Sequence, residues 1–266
     1  MLRFLKNTIE FISVLLYSIF LAGVHRKSRR TVIYYHSLKK EDVAAFEKQM
    51  AYLANYCNVV KASEITAAPT NRSNVTVAIT FDDALVSFLD NALPVLEKYK
   101  LPAAVFVPTG SLDSHPNWAL EDDCDYADEK VMSQEDIANL SKANCEVFSH
   151  TVSHLHLDEI GDSELSNELE QSKRTLEQII GHDIIAISYP YGAYNSRVCA
   201  RARQMGYELG FTVEPYWVES SPSSLEIGRF KVSGSDGMLK FRLKVAGAYQ
   251  VLRYLKTAKR VLTRQR

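Results

Sequence analysis

Residues 75–83 read Val-Thr-Val-Ala-Ile-Thr-Phe-Asp-Asp, an apolar, β-branched run that ends in two adjacent carboxylates. Such a run reads as a strand, because branched side chains pack well on a pleated surface. Similar short runs recur at Val32–Tyr35, Ala103–Val107, Cys145–Phe148, Ile184–Ser188 and Leu209–Val213. Helical patterns lie between them. Ser133 and Asp136 have the spacing of a capping box for a helix running to about Lys142. Leu165, Leu169, Leu176 and Ile180 line one face of a second helix, which Gly181 stops. Asn195 is placed to cap a third, running to Met205 with Gly206 after it. This strand–helix alternation over about 200 residues predicts an α/β fold, with a parallel sheet closed or nearly closed into a barrel. In such barrels the chemistry sits where strands end.

Three motifs stand at predicted strand ends. In Ile79-Thr80-Phe81-Asp82-Asp83 two carboxylates abut, and strand alternation lets them point in different directions and take different roles. Ser149-His150-Thr151-Val152-Ser153-His154 follows the strand at 145–148. If this segment turns helically, His150 and His154 share a face and can share one metal. Ser188-Tyr189-Pro190-Tyr191-Gly192 follows the strand at 184–188, and its proline and glycine set a tight turn beside the site.

Together these stretches resemble the polysaccharide deacetylase family, the NodB-homology domain or carbohydrate esterase family 4. The resemblance rests on TFDD at 80–83, SHTVSH at 149–154 and YPYGAYN at 189–195, with Tyr34-Tyr35-His36 similar to the opening of one branch. It spans about residues 31–235. It implies a distorted (β/α)7 TIM-like barrel, a divalent metal, commonly zinc, and hydrolysis of N-acetyl groups on sugars. Carried onto this chain, it makes Asp83, His150 and His154 the metal ligands and Asp82 the general base. One carboxylate oxygen and two imidazole nitrogens suit zinc and leave room for water. Amide carbonyls are poor electrophiles, so a metal must polarise the carbonyl and acidify the water. The backbone amide of Tyr191 is placed to stabilise the oxyanion, and Thr151 to shape the turn between the histidines.

The chain departs from the family pattern in four places. Ala84 stands where glycine is common. Ser188 stands where many members carry an arginine that orients the base, and Arg229, in Ile227-Gly228-Arg229-Phe230, is the candidate substitute. No aspartate-rich motif lies near Glu214–Trp217. No histidine follows His182, so a general acid must come from elsewhere, and His36 is the candidate. His115 and His156 read as loop residues.

Of the 266 residues, 46% are apolar and 24% charged, which excludes a disordered, collagenous or multi-spanning chain. The net charge of -1 hides an uneven distribution. Residues 1–30 hold six basic residues and one acid, and residues 237–266 hold nine basic residues and no acid. The acidic body between them argues against nucleic-acid binding and leaves the two ends to meet an anionic surface. Phe11–Val24 is uncharged but shorter than a spanning helix of about 20 residues. Basic residues just after it, Arg26 to Arg30, favour keeping the body on the cytoplasmic side of a bacterial inner membrane. An uncleaved segment that exports the body is the competing topology, since Phe20-Leu21-Ala22 makes a poor cleavage site. Near the C-terminus, Val251, Leu252, Leu255, Ala258 and Leu262 face away from Arg253, Lys256, Lys259, Arg260 and Arg264, the pattern of a basic amphipathic helix.

Three segments follow: a membrane-anchoring stretch at 1–30, a catalytic body at 31–235 and a basic tail at 236–266. Cys57, Cys124, Cys145 and Cys199 form no metal-binding spacing and read as small buried hydrophobes. The expected function is metal-dependent N-deacetylation of an acetylated amino-sugar glycan or a lipid-linked sugar at an anionic membrane surface. An O-acetyl esterase on the same scaffold and an inactive, membrane-associated glycan binder are the alternatives.

Overall fold

Strand alternation organises the barrel. The computed structural model describes residues 10–19, 29–68, 75–120 and 126–255. Strand β3 (Thr76–Phe81) is buried along its whole length. It lies parallel to β1 (Arg30–Tyr35) on one side and to β4 (Ala103–Val107) on the other. β5 (Cys145–Ser149), β6 (Ala186–Ser188) and β7 (Leu209–Phe211) continue the sheet beyond β4, and β8 (Phe230–Lys231) flanks β1. All these pairings are parallel, and the short β2 (Asn58–Val59) pairs with β3 off this path.

The two ends of the sheet meet. Residue Phe211 bridges Ile227, the Ile227 amide donates to the Gly210 carbonyl at 2.7 Å, and the Arg229 amide donates to that of Glu214 at 2.9 Å. Seven strands thus close a distorted (β/α)7 barrel whose seam, between β7 and β8, is thin. Alternate residues divide the core. Val32, Ala78, Ala104, Phe106, Phe148, Ala186 and Phe211 form an inner cluster, where alanines make room for phenylalanine rings. Ile33, Val77, Ile79, Phe81, Val105 and Val147 face outward onto helices.

Those helices are α2 (Val43–Tyr56), α3 (Leu93–Tyr99), α4 (Gln134–Leu140), α5 (Asp162–Ile180), α6 (Ser196–Gln204) and α7 (Met238–Val245), with residues 10–19 as α1. Ser133 and Asp136 make the full reciprocal capping box of α4. The Asn195 side chain accepts from the Val198 amide at the start of α6. Gly181 ends α5 in the left-handed conformation, at φ 78°. Two strands are shorter than their sequences suggest. The Ile184 amide donates to the Glu177 carboxylate instead of a ladder partner, and the Thr212 amide is taken by the seam.

Residues 10–19 are helical and pack one side on the body. Val14 is buried against Leu243 and Ala248, with Phe11, Tyr249, Val251 and Leu252 around it. No helix among the described residues is long and apolar enough to cross a membrane. Residues 250–255 are helical, while the rest of the N-terminal apolar run and residues 256–266 of the basic tail lie outside the described residues. Cys57, Cys145 and Cys199 are free thiols, and burial pushes those of Cys57 and Cys145 up to about 12. Cys124 lies outside the described residues.

Candidate active site

β3 ends at Phe81, and the next two residues part company. Asp82 keeps its amide in the β1 ladder, donating to the Tyr35 carbonyl at 2.9 Å. Its carboxylate meets Arg229, which rises from the seam and is fully buried. Arg229 Nη1 and Nη2 each donate to one Asp82 oxygen at 2.7 Å. The remaining guanidinium donors reach the Thr212 carbonyl (2.8 Å), Ser188 Oγ (2.7 Å) and Thr80 Oγ1 (3.3 Å). All five N–H groups are thereby used. The guanidinium also lies over the Tyr34 ring at 4.4 Å. Burial works to raise the Asp82 carboxyl, and the Arg229 charge and hydrogen bonds override it, holding the group below the ordinary carboxylate range.

Asp83 turns away through a left-handed backbone (φ 70°), and Ala84 follows in the same region (φ 48°). The Ala84 position shows why glycine suits this place: without a Cβ it adopts such a conformation freely. Asp83 is 1% exposed, yet neither of its oxygens has a hydrogen-bond partner. His150 Nε2 and His154 Nε2 stand 3.5 and 3.4 Å from Asp83 Oδ1. Burial tends to raise the Asp83 carboxyl, but the surrounding imidazoles of His154, His36 and His150 hold it far below its usual range.

The two histidines come together on a turn, not on the helical face that their spacing suggested. Thr151 and His154 adopt positive φ, 67° and 55°. The His154 amide donates to Thr151 Oγ1 at 3.2 Å. From α5, buried Glu168 accepts the amides of Val152 (2.9 Å) and Ser153 (2.8 Å). The Gly110 amide donates to the Val152 carbonyl at 2.8 Å, and a Cβ on Gly110 would meet that oxygen at 2.7 Å. His150 Nδ1 lies 2.8 Å from the Ser188 carbonyl and so carries the proton, which leaves the Nε2 lone pair facing Asp83. Burial, then His154, pushes the His150 imidazole down to about 4.

Asp83, His150 and His154 present three ligand atoms within 4.8 Å of one another. An orphaned buried carboxylate facing two imidazole nitrogens, one with its lone pair fixed toward it, fits a divalent cation. A second group, His156, Asp158 and Glu159, lies at the exposed surface.

The cavity over these residues has a volume of about 100 Å³. His36 lines it just past β1, stacked on Tyr126 at 5.7 Å. Tyr191 lines it too, with its ring edge-on to His154 at 4.6 Å and stacked on His156 at 4.1 Å. Sequence reasoning placed Asp82, Asp83, His150, His154, His36, Tyr191 and Arg229 at the site, and the fold brings all seven together. It missed Trp118, which stacks on His154 at 4.6 Å, along with Tyr126 and Lys231. The first two come from the long connection between β4 and α4, where no periodicity marks a residue as facing the cavity. His115 is exposed, as its loop position suggested.

Residues 70–210 match the sequence profile of the polysaccharide deacetylases. The chain belongs to the polysaccharide deacetylase family. Among its relatives, the polysaccharide deacetylase-type protein YxkH of Bacillus subtilis is 28% identical over 221 residues, covering 78% of this chain and 73% of YxkH. The poly-β-1,6-N-acetyl-D-glucosamine N-deacetylase of Staphylococcus aureus is 25% identical over 166 residues, and the match spans about half of that enzyme, 54%. Two solved structures share the fold. The Streptococcus pyogenes deacetylase PplD, in complex with acetate, has a TM-score of 0.66 at 20% identity, with 85% of this chain and 98% of that one covered. IcaB from Ammonifex degensii has a TM-score of 0.62 at 21% identity, with 84% and 97% covered.

The family member's Arg229–Asp82 pair has a measurable consequence. Arg229→Met leaves a buried carboxylate without its partner, which costs ~3–5 kcal/mol. Because Arg229 lowers the Asp82 pKa, its stabilisation is present above the ordinary carboxylate pKa and fades as pH falls through the depressed one. In the variant, Asp82 protonates at higher pH and escapes the penalty. Urea unfolding is expected to show a larger loss near pH 7 than near pH 4. An equal loss at both would refute the charge account and leave only packing.

Proposed function

We propose that this protein is a metal-dependent N-deacetylase acting on an acetylated amino-sugar glycan. The observation that carries this reading is the unlike treatment of two adjacent carboxylates. Asp82 is paired with Arg229 through both of its oxygens, while Asp83 is buried, without hydrogen bonds, before two imidazole nitrogens. Asp83, His150 and His154 would hold the divalent cation, with zinc suited to this donor set. When bound, it polarises the acyl carbonyl and acidifies water.

The chain's own residues do the rest. Asp82, kept ionised and aimed by Arg229, accepts the proton of the attacking water on a lone pair that Arg229 leaves unused. The Tyr191 backbone amide stabilises the oxygen that gains charge as the acyl carbon becomes tetrahedral. His36, lining the same cavity, returns a proton to the departing amine, so the lack of any histidine after His182 leaves no missing role. Trp118 and Tyr191 flank His154 and offer flat faces to a sugar ring. The staphylococcal relative's substrate makes β-linked N-acetylglucosamine oligomers the first glycans to try. An O-acetylated glycan offered beside them separates the esterase alternative.

We propose also that the chain works at an anionic membrane surface, with its body on the cytoplasmic side. The support is its charge: two basic ends around an acidic body, each Lys or Arg near such a surface adding ~1 kcal/mol of attraction.

Acetate release from N-acetylglucosamine oligomers is expected with metal and not with chelator. One divalent ion per chain is expected in the wild type, and far less in His154→Ala. Asp82→Asn should keep the ion and lose most turnover, and equal metal content in wild type and His154→Ala would sink the ligand assignment. His36→Ala should lower turnover by about 10²–10⁴-fold, and near-normal turnover would remove His36 from the acid's role. For topology, protease added to sealed spheroplasts should spare the body. Digestion with the membrane intact would place it outside.

A further inference from the structure

The two imidazoles of the site are held by different means. His150 Nδ1 lies 2.8 Å from the Ser188 carbonyl, and that hydrogen bond fixes the plane of its ring. His154 is 6% exposed, yet its Nδ1 has no hydrogen-bond partner among the described residues. A metal-ligating histidine almost always gives its second ring N–H to a carboxylate, a carbonyl or water, and that bond sets the ring's orientation. The torsion that turns an imidazole about its Cβ–Cγ bond is broad and does not set it alone.

At His154 the neighbours are rings. Trp118 lies nearly parallel to it, at 26° and 4.6 Å between centroids. His150 and Tyr191 stand edge-on, at 79° and 76°, with centroids 4.7 and 4.6 Å away. Such separations and angles are those of attractive aromatic pairs. Turning the His154 ring would drive one of its edges into the indole face.

Trp118 is itself held on both sides along the chain. Before it, buried Ser111 donates through Oγ to Asn117 Oδ1 at 2.9 Å. After it, the Tyr191 hydroxyl donates to the Ala119 carbonyl at 2.7 Å. The same connection braces the histidine turn, since the Thr109 and Gly110 amides donate to the Thr151 and Val152 carbonyls at 3.0 and 2.8 Å. The indole is thus fixed to the elements that carry the histidines.

We propose that Trp118 is a positioning residue: its indole, held through Asn117 and Ala119, keeps the His154 ring turned with Nε2 toward Asp83, in place of the hydrogen bond that Nδ1 lacks. The inference rests on the reading of Asp83, His150 and His154 as metal ligands. It gives the connection after β4 a role that precedes any contact with substrate.

The test uses the full chain and reads zinc affinity by competition with a chromophoric chelator, so it needs no turnover. Trp118→Leu keeps an apolar side chain and loses the flat face, whereas Trp118→Phe keeps a flat face. Zinc should bind Trp118→Leu about 10–100-fold more weakly than wild type, the range for losing an orienting neighbour, and Trp118→Phe within about threefold of wild type. Cobalt(II) in place of zinc reports the ligand arrangement. Its visible spectrum should change in Trp118→Leu and match wild type in Trp118→Phe. Tyr191→Phe removes the hydroxyl that ties Ala119 and should weaken zinc binding in the same direction. Wild-type zinc affinity in a folded Trp118→Leu overturns the proposal, whatever its thermal stability. A raised KM for N-acetylglucosamine oligomers with that affinity unchanged assigns Trp118 to the sugar instead, and the proposal is wrong. Equal weakening in the Leu and Phe variants also overturns it, because the flat face would then not matter. If circular dichroism shows that Trp118→Leu does not fold, Tyr191→Phe decides, and wild-type affinity there overturns the proposal. All these outcomes spare the ligand reading. That reading fails, and this inference with it, if wild type binds no zinc or if His154→Ala binds it as tightly.

Discussion

The bidentate pair between Arg229 and Asp82 is buried on all sides, and much of the site's geometry hangs from it. Desolvating two charges costs several kcal/mol each, and their attraction repays this only with excellent geometry and with the remaining donors satisfied. Both conditions hold here. Two contacts of 2.7 Å join the charges, and Thr212, Ser188 and Thr80 take the other donors. The pair also spans the barrel. Arg229 comes from the thin seam before β8, Asp82 from the end of β3, and Ser188 from the end of β6. Closing the seam and orienting the Asp82 carboxylate are one event, so a fold that shifted β8 would lose that orientation as well.

A second constraint is backbone strain. Asp83, Ala84, Thr151, His154 and Tyr191 all hold positive φ without being glycine. Such conformations cost of order 1–3 kcal/mol each and persist only where neighbours over-determine them. The neighbours are identifiable. The Met132 amide binds the Ala84 carbonyl at 2.8 Å, Glu168 holds the turn between the histidines, and Thr109 and Gly110 brace it from the other side. The strain turns Asp83 out of the strand's alternation and brings two imidazoles to one point. A regular strand or helix would place these side chains elsewhere.

Much of this was legible in the sequence. The β-branched runs marked six strands, and charged motifs at their ends marked the site. Arg229 is readable as the substitute for the arginine that Ser188 replaces. The helical reading of the two histidines failed because i,i+4 spacing does not require a helix. Thr151 Oγ1 accepts the His154 amide and turns the chain more tightly. β8 has two residues, too few for any periodicity. Trp118 and Tyr126 sit in a long connection whose path depends on contacts made elsewhere. Glu168 was readable in principle: it falls three residues after Leu165 and beside Leu169 on an otherwise apolar face, and a carboxylate there must have buried partners.

The contrast between the two aspartates ties these strands together. Asp82 and Arg229 neutralise one another, which leaves Asp83 as the uncompensated carboxylate in the pocket. Its imidazole neighbour His150, pushed down to about 4, is neutral near pH 7 and supplies a lone pair instead of a positive charge. A buried carboxylate without hydrogen bonds is costly to the folded chain. A divalent cation at that point would meet the carboxylate, the His150 lone pair and the His154 imidazole at once, so its binding would relieve a cost already present in the fold. The same logic separates the roles of the neighbouring groups. With Arg229 occupying both oxygens of Asp82, Asp83 is the carboxylate left open to a cation, and Asp82 stays beside it as an ion-paired group.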